Sequence, residues 1–157
     1  MLVRENIRFE RGVDPKTSMG IGLKVKIEAW LKEYDITNAY VLADYTINTY
    51  GEVILNSKGL FELPDYIVFN EAHQDFHINW NNLKTFKNCP IKVYASFFGN
   101  GNPITSLEGL PKQITGSISI SEACGFTEED IRKVCDCTTV YLTSMIGDKT
   151  FEELEKI

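Results

Sequence analysis

The sequence predicts an α+β protein: a short solenoid with a mostly parallel sheet, an N-terminal capping helix and a C-terminal helical cap. The first observation is a phrase written three times. It reads Gly59-Leu60-Phe61-Glu62-Leu63-Pro64, then Asn82-Leu83-Lys84-Thr85-Phe86-Lys87-Asn88-Cys89-Pro90, then Pro103-Ile104-Thr105-Ser106-Leu107-Glu108-Gly109-Leu110-Pro111. The leading anchors are offset by 23 residues (Leu60 to Leu83) and then by 21 (Leu83 to Ile104), and a fixed period near 20 marks a solenoid. The second observation is an alternating segment ahead of each phrase, at 52–56, 75–80 and 96–99, continued at 117–121, with Phe76, Phe97 and Ile118 each 21 apart. Apolar residues at every second position line one face of a strand. The third is an amphipathic stretch over 16–34 that can cover the open end of such a stack.

Taken in order, the chain reads as one domain, 1–157, with a strand and capping helix in 1–38, the repeat solenoid in 39–121 and a cap in 122–157. Ile7 and Phe9 alternate with charged neighbours in a short extended segment. Asp14-Pro15 has the form of a helix start, with Asp as N-cap and Pro at the first helical position. Met19, Leu23, Ile27, Trp30, Leu31 and Tyr34 then follow helical spacing. Residues 45–50 and 52–55 around Gly51 predict a hairpin leading into the first coil, with Tyr45 and Tyr50 on its outer face. Asn81-Asn82 and Asn100-Gly101-Asn102-Pro103 fall between strand and anchor, where Asn and Gly tolerate left-handed conformations. Pro64, Pro90 and Pro111 end each copy. After the last coil, Thr127 and Asp130 have the spacing of a capping box for a helix over 124–134. Val140-Tyr141-Leu142 predicts a closing strand, and Phe151, Leu154 and Ile157 a C-terminal helix within 148–157.

The polar strand, the Asn-Asn-Leu-x-x-Phe phrase and its Cys-Pro or Leu-Pro ending resemble the leucine-rich-repeat-like small proteins encoded by tailed bacteriophages. The leader Phe9-Glu10-Arg11-Gly12-Val13-Asp14-Pro15, followed by Met19-Gly20-Ile21-Gly22, is similar to leaders in that group. The resemblance spans most of 7–121, with fewer and less regular copies and aromatic residues in place of several leucines. It implies an interaction scaffold of viral origin and carries no catalytic residues with it.

Composition narrows the partner. With 157 residues, 43% of them hydrophobic, nine Phe and seven Tyr, the chain can bury one core. A net charge of −6 with dispersed basic residues argues against direct nucleic-acid binding, which needs a concentrated cationic face. The first residues lack the apolar core of a signal peptide, and no stretch reaches the roughly 18–20 apolar residues of a membrane span. Four cysteines without a secretory signal read as reduced thiols in a cytoplasm, that of the host bacterium if the chain is viral.

Candidate chemistry is sparse. His73, Asp75 and His77 alternate to one face of the predicted strand, but Phe76 and Ile78 point the other way, so the three read as solvent-facing and no metal is expected. Cys135-Asp136-Cys137 has the wrong spacing for a redox or zinc motif, and Cys89 occupies the place of Leu110 in the next copy, as a small hydrophobe. Gly20-Ile21-Gly22 lacks the context of a phosphate loop. The set that stands out is the presumed outer face of the sheet: Trp80, Phe98, His77, Asn79, Ser119 and Ser121, with Thr46. Aromatic anchors among polar groups have the composition of protein interface hot spots. The expected function is a non-enzymatic protein–protein interaction module, without cofactor, that binds and inhibits a host protein such as a defence nuclease, or binds a phage protein. The alternatives are a small-ligand-sequestering protein or enzyme with a pocket at the cap–solenoid junction, and a virion component.

Overall fold

A computed structural model describes the chain over residues 18–144. The helix expected over 16–34 is α1, Ser18–Glu33. It buries Ile27, Trp30 and Leu31 in the core, with Leu23 and Tyr34 packed at its margin, as the three-and-four spacing requires. The predicted segment at 7–10, the Asp14-Pro15 start and the helix within 148–157 lie outside the described residues.

Among the described residues, the strands are β1 (Ala39–Val41), β2 (Ile47–Thr49), β3 (Val53–Ile54), β4 (Phe69–Ala72), β5 (Phe76–His77), β6 (Lys92–Val93), β7 (Phe97–Phe98), β8 (Gln113–Ser121) and β9 (Asp136–Thr143). They form one sheet in the order β1-β2-β4-β6-β8-β7-β5-β3, with β9 on β8. The order becomes simple once strands are read in pairs. β2 and β3, β4 and β5, and β6 and β7 are the two halves of successive rungs, while in β8 and β9 the halves have merged. Every pairing except β1 with β2 is parallel, and Phe76, Phe97 and Ile118 stand in direct register as their 21-residue spacing predicts. The result is a solenoid-like stack of about four turns. A short helix α2, Glu128–Arg132, leads into β9; its capping box pairs Thr127 with Asp130 in both directions, and the Thr127 N–H holds the Asp130 carboxyl below the usual carboxylate range.

The expected hairpin around Gly51 is replaced by another. β1 pairs antiparallel with β2, and the turn between them is closed by Leu42 N–H to Thr46 O (2.8 Å), with Asp44 accepting from the Thr46 N–H and hydroxyl. β2 and β3 are consecutive halves of one rung instead. Tyr45 takes φ +65° in this turn and is buried, contrary to the outer face expected for it, whereas Tyr50 is exposed.

The core is filled by the repeat anchors, Leu60, Leu63, Leu83, Phe86, Cys89, Ile104 and Leu110, against the inward residues of the rungs. Phe97 is stacked on Phe76 at 5.8 Å and meets Phe86 edge-on at 5.2 Å. Cys89 and Leu110 are both buried, as their matching places in the phrase predict.

The asparagines at the strand-to-anchor corners do a different job from the one expected. The left-handed residues there are Ser57, Gly59, Trp80 and Gly101: the two glycines take that conformation as expected, and the asparagines do not. Asn81 and Asn102 are buried and serve as hydrogen-bonding hubs. Asn81 Oδ1 accepts from the Lys58 and Leu60 N–H groups at 2.9 and 3.1 Å, while its Nδ2 donates to the carbonyls of Leu55, Ile78 and Asn79. Asn102 repeats the pattern one coil on, accepting from Asn81 and Leu83 N–H and donating to the carbonyls of Ile78, Gly99 and Asn100. Each amide thus satisfies the backbone of its own coil and of the preceding one where the chain bends away from the sheet ladder.

Replacing Asn102 by Ala orphans two buried donors, the Asn81 and Leu83 N–H groups, and one acceptor, the Gly99 carbonyl, since Asn81 Nδ2 and the Trp80 N–H still serve the carbonyls of Ile78 and Asn100; each orphaned group costs about 1–3 kcal/mol. Urea unfolding of N102A should therefore show a loss of about 3 kcal/mol or more, while N82A, on the exposed neighbouring side chain, should stay within about 0.5 kcal/mol of the parent.

Candidate functional site: the outer face of the sheet

Because successive residues of a strand point to opposite sides, each rung sends alternate side chains outward, and parallel register stacks equivalent positions into columns. One outward column contains Tyr50, His73 and Tyr94. Their rings are stacked, Tyr50 on His73 at 4.3 Å and His73 on Tyr94 at 4.5 Å, both pairs inclined by 16°. Tyr40, on the antiparallel β1, extends the row edge-on to Tyr50 at 5.5 Å. Lys92 Nζ sits 4.3 Å from the centre of the Tyr94 ring. Tyr40, Tyr50 and Tyr94 are 58%, 46% and 39% exposed, so the row presents ring edges and hydroxyls along the sheet.

A second outward column runs Ile54, His77, Phe98, Ser119 and Tyr141. The His77 ring lies flat on Phe98 at 4.6 Å and brings Nε2 within 3.1 Å of Glu52 Oε2. Between the two columns, Asp75 Oδ1 accepts from the Ser96 N–H, and Ser96 Oγ accepts from the Ser117 N–H. Beyond them an amide row continues the stack: Asn79 donates through its backbone and side chain to Asn56 Oδ1, and Asn100 does the same to Asn79 Oδ1.

The structure sorts the residues singled out from sequence. His77 and Phe98 lie on the outer face as a stacked pair. Trp80 is exposed at the corner, in a left-handed conformation (φ +57°) that costs a non-glycine residue about 1–3 kcal/mol. Its indole covers Gly101, where a Cβ would come within 2.3 Å of the ring. Asn79 is committed to the amide row. Ser119 and Ser121 are buried, contrary to the open position expected for them, because β9 covers that end of β8; Ser119 Oγ donates to Asn100, and Ser121 Oγ accepts from the Gly101 N–H. Thr46 is likewise buried, its hydroxyl on Asp44. His73, Asp75 and His77 do not form one group: His73 belongs to the tyrosine column, while Asp75 and His77 share a neighbourhood with Glu52.

Tyr40, Tyr94 and Tyr141 were missed as face residues, and Tyr50 was expected on an outer face without its neighbours in this row. The signal for part of this set lay in the period, since Tyr50, His73 and Tyr94 are spaced by 23 and 21, as the anchors are. Clefts at the junction of helix and solenoid include one of about 450 Å³ between α1 and the 41–45 turn, lined by Lys24, Glu28 and Tyr45 among apolar residues, and one of about 300 Å³ between the end of α1 and β1, lined by Glu28, Lys32 and Asp35 among others. No helix among the described residues is long and apolar enough to cross a membrane. None of the four cysteines is in a disulfide. Burial first, and the neighbouring Cys137 second, push the Cys135 thiol up to about 12. No protein-family model, curated protein or solved structure matches the chain.

A thiol that stays protonated is a poor nucleophile. Alkylation by iodoacetamide at pH 8 should therefore reach the half-exposed Cys124 first and leave Cys135 unmodified until the chain is unfolded in urea, as read by peptide mass mapping.

Proposed function

We propose that this chain is a non-enzymatic binding module that recognises a protein partner through the outer face of its sheet. The observation that carries this reading is the row Tyr40, Tyr50, His73 and Tyr94, an exposed run of aromatic edges held on a parallel stack. Aromatic side chains on rigid elements provide large contact area at low entropic cost, and tyrosine is enriched among residues that dominate interface energy. In the free protein such a row gains only about 0.5–1.5 kcal/mol per ring pair, a small return for several exposed aromatics.

Glu71 lies beside His73 of this row, Glu52 and Asp75 stand beside His77 on the same outer face, and the chain carries a net charge of −6. That balance favours a partner with a basic surface, by charge complementarity. The resemblance to small phage-encoded repeat proteins supports a host or phage protein in a bacterial cytoplasm. A host defence nuclease, whose nucleic-acid groove is basic, fits both considerations. In this reading α1 is the cap of the first coil.

The test is affinity capture of the tagged chain from the cells that express it, followed by mass spectrometry after a salt wash. A stoichiometric protein should be retained by the parent and by the F61A variant, altered at an exposed residue in an anchor turn. The Y50A/Y94A double variant, folded by circular dichroism, should lose it at least tenfold. Retention by the double variant, or a folded parent that retains only a small molecule, overturns the reading.

A further inference from the structure

We propose that Glu52, Asp75 and His77 form a binding site for a divalent first-row transition metal on the outer face of the sheet. One potential ligand atom of each lies within 4.8 Å of the other two. The three come from adjacent coils. The register pairs Val53 with Phe76 and Ile54 with His77, which sets Glu52 beside Asp75 and places His77 two residues further along the same face.

Three features make this a prepared set of donors. Like charges side by side on neighbouring strands repel, and among the described residues the ion pairs of Lys and Arg lie elsewhere, on Glu128 and Glu129. The group facing the two carboxylates is His77, whose Nε2 stands 3.1 Å from Glu52 Oε2. Donor atoms roughly 2.0–2.2 Å from one ion are about 2.8–3.1 Å from each other across an octahedral edge and about 3.3–3.6 Å across a tetrahedral one, so this pair already has the spacing of one octahedral edge. The donors are also held from behind. Phe98 stacks on the His77 ring at 4.6 Å with an inclination of 8°, and the Ser96 N–H bonds Asp75 Oδ1 at 2.9 Å. Such supporting contacts orient metal ligands and strengthen binding.

One imidazole and two carboxylates are a borderline-to-hard donor set, suited to Mn²⁺, Co²⁺, Ni²⁺ or Zn²⁺ and poorly suited to soft ions. The other histidine is less well placed. Nε2 of His73 approaches a single carboxylate, Glu71 at 3.3 Å, and both of its ring faces are covered by tyrosines. The site stands independently of the partner-binding reading.

The test uses the full chain, stripped with a chelator and dialysed. Mn²⁺, which has little affinity for thiolates, is added during amide-resolved NMR, and Zn²⁺ binding is measured by calorimetry. Mn²⁺ should broaden the signals of Glu52, Asp75, His77 and Phe98 first. Zn²⁺ affinity should fall at least tenfold in D75N and in H77Q, and should be unchanged in H73Q. E52Q, at an exposed side chain, provides a variant whose folding is not in question and should also weaken binding. The proposal is overturned by unchanged Zn²⁺ affinity in E52Q and D75N, by broadening centred on other carboxylates such as those of 128–130, or by no broadening at millimolar Mn²⁺.

Discussion

The fold depends on the buried amides of Asn81 and Asn102. A solenoid coil must leave its sheet, turn and come back, and at each corner backbone groups lose their ladder partners while remaining out of water. A single unsatisfied buried N–H or C=O costs enough to matter against a net stability of about 5–15 kcal/mol. Carrying two donors and an acceptor on one short side chain, asparagine can answer several such groups at once. Asn81 and Asn102 do so for consecutive coils, and Asn102 also accepts from the Asn81 N–H, so the corners are tied to one another. The left-handed step next to each is taken by Trp80 and Gly101, which leaves the asparagine side chains free to point inward.

Once the inner face and corners are satisfied in this way, the outward positions carry few structural duties. Several have been given over to columns of matched side chains: tyrosines with a histidine, a histidine on a phenylalanine, and amides on amides. Stacking at the rung spacing holds these groups in place before anything binds. A surface ordered in advance loses less conformational entropy on association, which is the physical reason a short parallel stack suits recognition. The same preorganisation places two carboxylates and an imidazole together at Glu52, Asp75 and His77.

Much of the solenoid was legible in the sequence, because the period and the alternation report on the inner face, where burial constrains residue type. Phe76, Phe97 and Ile118 were placed in register by arithmetic, and the stripe of Ile27, Trp30 and Leu31 on α1 by helical spacing. The first halves of the second and third rungs, β4 and β6, were not legible. In β4, Phe69, Asn70 and Ala72 are all buried, so the alternation that marks a half-exposed strand is absent, and β6 is only two residues long. The hairpin was misplaced because its turn relies on a left-handed tyrosine, Tyr45, and nothing in a tyrosine signals positive φ; a glycine drew the assignment to Gly51. His73 was grouped with Asp75 and His77 on strict alternation, but the rung bends between its halves, and the bend separates the columns. For the binding face, composition pointed to aromatic residues in general, while only the period, applied to outward positions, picks out Tyr50, His73 and Tyr94. Ser119 and Ser121 were misjudged because the cover supplied by β9 comes from a strand whose pairing partner is not encoded locally.

The claim that function resides on the outer face is tested most directly by hydroxyl-radical footprinting of the chain alone and saturated with its captured partner. This method reads side-chain exposure and is insensitive to the backbone hydrogen bonds the sheet already has. The account predicts that Tyr40, Tyr50 and Tyr94 lose reactivity in the complex while Phe61 and Ile21, exposed away from the tyrosine row, keep theirs. Protection of Phe61 or Ile21 with the three tyrosines unchanged would contradict it and move the recognition surface to the anchor turns or to α1.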